Sequence, residues 1–151
     1  MGVAKRELTF SKVSCKDSNE IIHYLADKLF EVGDVNADFE QAVKDREKVY
    51  PTGLPIGKIS VAIPHTDVKY VKSPAIAIAT LKNPVGFKNM ANNKEVIDVK
   101  MVVMLAMKEP HSQVDMLQKL MGLFQNQELL EKIYSLDDSN EIFDIISKQI
   151  D

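Results

Sequence analysis

The sequence predicts an α/β protein, a three-layer α/β/α sandwich, and three observations carry that prediction. The run Val99–Ala106 is almost continuously apolar, which suits a strand covered on both faces. Apolar residues recur at helical spacing in five other stretches, two before the strand-like middle of the chain and three after it. A strand buried on both faces needs helices on both sides of its sheet. The order of one strand, two helices, three strands and three helices supplies them. Spacing leaves the strand order open.

Each element has its own signal. Leu8-Thr9-Phe10 reads as a short first strand. Asp17 is an N-cap with Glu20 as its capping-box partner. Ile21, Ile22, Leu25, Leu29 and Val32 then follow at helical spacing, and Gly33 closes the run as a C′ residue. Asn36 is expected to cap a second helix in which Phe39, Ala42, Val43 and Val49 share a face. That helix must stop near Tyr50, because Pro51, Gly53, Pro55 and Gly57 follow. Lys58–Ala62 reads as a strand, as does Ala75–Leu81 between Pro74 and Pro84. The segment 83–96 reads as a polar connection with extended character around Val85–Phe87. Val114, Leu117, Leu120, Met121 and Phe124 mark the third helix, and Leu129, Leu130 and Ile133 the fourth. Ile142, Ile145, Ile146 and Ile150 mark the fifth, opened by Asp138 and Glu141 as a capping box.

Composition narrows the class. A chain of 151 residues is one domain, 1–151, by length, and buries roughly 70% of its unfolded surface. A formal net charge of −3 argues against nucleic acid or an anionic membrane as the main partner. The single cysteine, Cys15, leaves no internal disulfide and no thiol pair for zinc. No apolar stretch approaches the roughly 20 residues of a membrane span. The start Met1-Gly2-Val3-Ala4-Lys5-Arg6 lacks the apolar region of a secretory signal, and Arg6 stands where myristoylation wants Ser or Thr. A cytoplasmic protein is expected.

The most informative feature is Ile63-Pro64-His65-Thr66, directly after the strand-like Lys58–Ala62. Histidine, with an ordinary pKa of about 6.5, is largely a neutral nucleophile or base at cellular pH. Pro64 fixes its own φ and extends Ile63, so the loop is stiff just before the ring. The alternative is a histidine that merely caps the strand, and the tetrapeptide does not choose between the two. His111, in Glu109-Pro110-His111-Ser112, falls between the buried strand and the next helix, where unpaired amides favour an anion. Taken alone it reads rather as a solvated loop histidine. Arg46, three residues after Val43 and seven after Phe39, projects from the apolar side of its helix, to snorkel past the core or to reach an anion. His23, between Ile22 and Tyr24, is read as structural. There is no G-x-S-x-G, Walker, G-x-G-x-x-G or H-E-x-x-H motif. Any phosphate chemistry is therefore expected to use no nucleotide, and no local ligand spacing supports a metal.

These residues resemble enzyme IIA of the bacterial sugar phosphotransferase system, in its fructose–mannitol superfamily and most nearly its galactitol-type branch. The resemblance rests on Arg46-Glu47, Pro51-Thr52-Gly53-Leu54, Val61-Ala62-Ile63-Pro64-His65-Thr66-Asp67, Pro74–Ile78, Pro84-Val85 and Pro110-His111-Ser112-Gln113, in order along residues 6–150. It implies a mixed central sheet. It also implies that His65 accepts a phosphoryl group from the phosphocarrier protein HPr and passes it to a cysteine of a IIB component, with a IIC permease moving the sugar. His111 and Arg46 would stabilise the phosphoryl oxygens, and Thr66 and Ser112 are secondary donors. Neither cofactor nor metal is expected. Mannitol- and fructose-type members carry glycine after the active histidine, whereas this chain has Thr66-Asp67, which favours a galactitol-like or related polyol system. The alternative within the superfamily is a regulatory, nitrogen-type IIA whose phosphorylation state is read by partner proteins. A monomer is expected, with Pro51–Gly57 and the start of the His111 helix as docking rims.

Overall fold

In the computed structural model, which describes residues 2–151, the chain forms β1 (Ala4–Val13), α1 (Ser18–Glu31), α2 (Phe39–Val49), β2 (Gly53–Leu54) and β3 (Val61–Ala62). A 3-10 turn (Val68–Tyr70), β4 (Ala75–Asn89), β5 (Asn92–Ala106), α3 (Pro110–Gln125), α4 (Gln127–Ser135) and α5 (Ser139–Ile150) complete it. Met1, with which the reading of the N-terminus begins, lies outside the described residues.

The strands form one mixed sheet. β1 runs parallel to β4, β4 pairs antiparallel with β5, and β5 takes β3 in parallel. β3 in turn pairs antiparallel with β2, whose Gly53 also meets Asn89 at the end of β4. Gly53 tolerates no side chain there, because a Cβ would stand 2.5 Å from the Lys88 carbonyl oxygen.

Alternation along β4 and β5 sorts the core into two layers. Ala75, Ala77, Ala79, Leu81, Val102, Met104 and Ala106 pack under α1 and α2 with Ile21, Leu25, Leu29, Phe39 and Val43. Ile76, Ile78, Met101, Val103 and Leu105 pack against α3, α4 and α5 through Leu120, Phe124, Leu130, Ile133, Ile142 and Ile146. The three-layer sandwich predicted from Val99–Ala106 is therefore the observed one, for the reason given: both faces of that run are covered.

Local chemistry ends the helices as expected, with one exception. Asp17 Oδ1 accepts from the Glu20 amide at 2.9 Å. Gly33, at φ 80°, lets the Gly33 and Asp34 amides reach the Phe30 and Leu29 carbonyls, the paired bonds of a Schellman ending. Asp138 caps α5 through the Asn140 amide. Asn36 does not cap α2 directly. Its Oδ1 accepts from the Asp38 amide, making a turn one step before the helix.

Three expectations need correction. The connection 83–96 is the far half of a long β4–β5 hairpin, in which Val85 and Phe87 are buried while Pro84, Gly86 and Lys88 are exposed. Period-2 burial on a single face was diluted by polar outward residues, and Pro84 is tolerated where the ladder shifts register between Thr80 and Val85. The middle of the chain holds four strands rather than three, because Gly53–Leu54 pairs too briefly for any periodicity to show. Val32, Val49 and Val114, assigned to helix core faces, are exposed. The end residues of a stripe overrun the packed layer.

Candidate functional site

β3 ends at Ala62, and the next residues leave the sheet under tight control. The Pro64 carbonyl accepts from the Leu105 amide at 3.1 Å, stitching the loop to β5. The Ile63 amide donates to Thr52 Oγ1 at 3.2 Å, stitching it to the start of β2. Between these two ties the Ile63 carbonyl points back at the ring of His65, whose Nδ1 lies 2.7 Å away. A carbonyl only accepts, so Nδ1 carries the proton and Nε2 keeps its lone pair. His65 is half-buried. Burial pushes its pKa below the ordinary histidine value, the Ile63 bond opposes that, and the positive charge of Arg46 adds to the lowering. His65 is thus a neutral imidazole at pH 7 with a single free nitrogen.

Arg46 sits in the last turn of α2. It is exposed, and its guanidinium lies over the Tyr50 ring, 5.1 Å from the centroid. The apolar-side placement inferred from spacing is not what holds it. Its charge is nevertheless felt at His65.

The second histidine reaches the same end of the sheet by a parallel route. β3 and β5 run side by side, with Val61 opposite Met101 and Ala62 opposite Val102. His65 follows one strand end and His111 follows the other, in the first turn of α3 behind Pro110. The parallel pairing thus brings both residues to one edge of the sheet at the level of topology. The side chains differ in setting: His111 is 88% exposed, and its Nε2 lies 3.3 Å from Asp115 Oδ2 on the next turn of its own helix. Ser112 is half-buried beside it. Thr66 is buried, and Asp67 is exposed and caps the 3-10 turn through the Lys69 amide. Of the proposed rims, Pro51–Leu54 are buried, so only Pro55–Gly57 and the start of α3 reach the surface.

The sequence reading attached no chemistry to Glu47 or Thr52, although both lie inside the quoted motif. Glu47 holds Thr52 with both oxygens, Oε2 accepting from the Thr52 amide and Oε1 from its hydroxyl, each at 2.8 Å. Burial pushes the Glu47 carboxyl up to about 7 against the lowering effect of these two bonds. The available signal was a Glu one residue after Arg46 and five before the Thr of Pro51-Thr52-Gly53. His23 pairs with Glu40 across α1 and α2 at the surface, as a structural residue would. Burial, with Glu20 and Asp17 nearby, raises the Cys15 pKa and keeps its thiol protonated. Among the described residues no three His, Cys, Asp or Glu side chains converge as a metal site needs, and no helix is long and apolar enough to cross a membrane.

A neutral, half-buried imidazole with one nitrogen tied and the other free, mounted at a strand end of an α/β sandwich, is the equipment of a phosphoryl carrier. In that class a histidine takes up a phosphoryl group and hands it on. The chain belongs to the family described as phosphoenolpyruvate-dependent sugar phosphotransferase system, EIIA 2, whose model matches residues 3–149. It is 28% identical over 129 residues to the galactitol-specific EIIA component of Escherichia coli K12, covering 85% of each chain. It is 38% identical over 101 residues to the transcriptional regulator ManR of Bacillus subtilis, 67% of this chain but 14% of that protein. The fold is shared with the mannitol enzyme IIA of Escherichia coli, solved in complex with phosphorylated enzyme IIB, at TM-score 0.78 and 20% identity over 96% of this chain and 99% of that one. It is shared equally with the nitrogen regulatory protein IIA-Ntr of Neisseria meningitidis, at TM-score 0.78 and 22% identity over 95% and 96% of the two chains.

Proposed function

We propose that the chain, as one domain over residues 1–151, carries phosphoryl groups on His65 Nε2, taking them from phospho-HPr and delivering them to a cysteine of a IIB component. The observation that carries this reading is the 2.7 Å bond from His65 Nδ1–H to the Ile63 carbonyl. It commits the lone pair to Nε2 and leaves the ring neutral. As Nε2 forms its bond to phosphorus, the N–P bond of phospho-HPr breaks and the donor imidazole leaves with that electron pair. In the second step the thiolate of IIB attacks the same phosphorus and His65 departs as the leaving group.

Phosphoryl transfer asks the protein for alignment and for charge opposite the phosphoryl oxygens. Arg46 supplies a permanent cation whose charge already acts at His65. His111 turns from Asp115 towards the incoming group, and Ser112 and Thr66 are secondary donors. The Arg46 charge and these donors offset the phosphoryl oxygens, so the step is expected to need no nucleotide or metal. The galactitol-specific relative supports a galactitol-like or other polyol system, with IIC as the permease that the IIB component serves. The protein works from the cytoplasm as a monomer, because a dimer over this face would block the shuttle.

A second reading, a regulatory IIA whose phosphate is a signal, is supported by the likeness to ManR and to the fold of IIA-Ntr. Incubation with enzyme I, HPr and phosphoenolpyruvate tests the first step. His65 should take up an acid-labile, base-stable phosphate, and onward transfer to a galactitol-type IIB separates transport from signalling. No uptake from phospho-HPr would overturn both readings.

A further inference from the structure

The proposed chemistry leaves a part-buried carboxyl in the heart of the motif without a task. Glu47, in the last turn of α2, spends both oxygens on Thr52, accepting from its amide and its hydroxyl. Because the Thr52 hydroxyl hydrogen goes to Glu47, the lone pairs of Oγ1 are left for the Ile63 amide. Ile63 is then held at both ends, its amide by Thr52 and the following Pro64 carbonyl by Leu105. What remains between those ties is the Ile63 carbonyl, the acceptor for His65 Nδ1–H.

We propose that Glu47 is the positioning residue of this site, acting through Thr52 and Ile63 to aim the carbonyl that fixes the His65 tautomer and so keeps Nε2 free. The role rests on the proposed phosphorylation of His65 for its purpose, but not for its geometry. An aliphatic pair would hold β2 to α2 equally well, yet would leave the Ile63 amide unpaired beside the ring. Breaking the relay should therefore loosen the imidazole before it loosens the fold.

The relay is built to respond to pH. The Glu47 carboxyl is pushed up to about 7 by burial, while the pKa of His65 is lowered from 6.5. Near neutral pH the carboxyl thus takes up a proton before the imidazole does. Protonated Glu47 can donate to Thr52 Oγ1 in place of accepting from it, which turns the hydroxyl hydrogen away and re-aims the lone pair that the Ile63 amide uses. Protons reach the carboxyl through a cleft of about 250 Å³ lined by Ser18 and Asn19 of α1, Lys44 and Lys48 of α2 and Lys88 of β4. Lys44 is engaged with Glu40, and none of these lysines bridges to Glu47. Arg46, next in the chain, acts on His65 instead. Burial and Thr52 therefore decide when Glu47 ionises.

The test reads the His65 ring by side-chain ¹⁵N NMR on the unphosphorylated protein between pH 5.5 and 8.5, with phosphate uptake from phospho-HPr measured alongside. In wild type the Nδ1–H tautomer should dominate at pH 8 and give way partly with a midpoint near 7, before the ring itself protonates. Glu47→Gln and Thr52→Val should populate the Nε2–H tautomer at pH 8 and slow uptake about 10-fold. Thr52→Ser should restore both to within about twofold. A shifted tautomer with no uptake even in wild type would support the relay while sinking the phosphoryl-carrier reading. A wild-type ring that shows its own protonation alone, or folded Glu47→Gln with wild-type tautomer and pH profile, would overturn the relay.

Discussion

Two strand ends meet at the working edge of this sheet, and they hold their histidines in opposite ways. After β3, His65 is half-buried, proline-braced and tied through Nδ1, and its loop is stitched to β5 on one side and β2 on the other. After β5, His111 rides the first turn of α3, 88% exposed, with its Nε2 3.3 Å from Asp115 Oδ2 on the same helix. The first arrangement spends backbone freedom to present one nitrogen in one direction. The second leaves the ring exposed with a single contact on its own helix, the setting that the proposed donor role would use. A carrier that must accept from one partner and give to another needs both, a rigid nucleophile and an adaptable stabiliser.

That contrast can be broken most severely at the nucleophile. His65→Ala should abolish phosphate uptake from phospho-HPr, a loss of at least about 10³-fold, with circular dichroism unchanged. Uptake at the wild-type rate would move the acceptor elsewhere. Arg46 is the permanent charge that acts on His65; if it contacts the phosphoryl group, Arg46→Met should slow transfer about 10²-fold, as losing a preorganised donor does. Arg46→Lys should recover only part of this, since a point charge lacks the planar fork. Equal, near-wild-type rates in both variants would remove Arg46 from the phosphoryl group.

His111 sharpens the comparison from its exposed side. His111→Ala should slow onward transfer to IIB about 10-fold, the worth of one charge-assisted hydrogen bond, and leave the melting temperature nearly unchanged because so little of the ring is packed. If transfer is unaffected in both directions, His111 is only a surface residue.

The smallest effect is thermodynamic. A carboxyl whose folded pKa is raised from 4.5 to about 7 makes the native state bind the extra proton, so its contribution to stability falls as pH climbs through that window. His65, lowered from 6.5, slopes the other way and costs stability as pH falls below that value. The difference between wild-type and Glu47→Gln stability curves isolates the carboxyl. It should change by about 1 kcal/mol between pH 4.5 and 7, allowing for the exposure of a half-buried group. No change would mean that Glu47 titrates as it does in the unfolded chain.

Much of the fold was legible because burial writes itself as periodicity. Val99–Ala106 announced a strand with two covered faces, and the alternation of Ile76 and Ile78 against Ala75, Ala77 and Ala79 bears this out in its partner. The far half of the hairpin was hidden because Val85 and Phe87 are buried on one face only, among polar neighbours. Gly53–Leu54 was hidden because two residues hold no period at all.

What the sequence determined by itself about the site was its local chemistry. A proline-braced histidine sits at one strand end, a second follows the buried strand behind another proline, and an arginine stands before the Pro-Thr-Gly turn. Only the tertiary structure decided which nitrogen of His65 is free, because the Ile63 carbonyl finds Nδ1 only once Thr52 and Leu105 have fixed its direction. It alone set His65 and His111 beyond the ends of adjacent parallel strands. It alone drew Glu47 into that same network, because a hydrogen bond depends on distance and direction in space, and spacing along a chain carries neither across a fold.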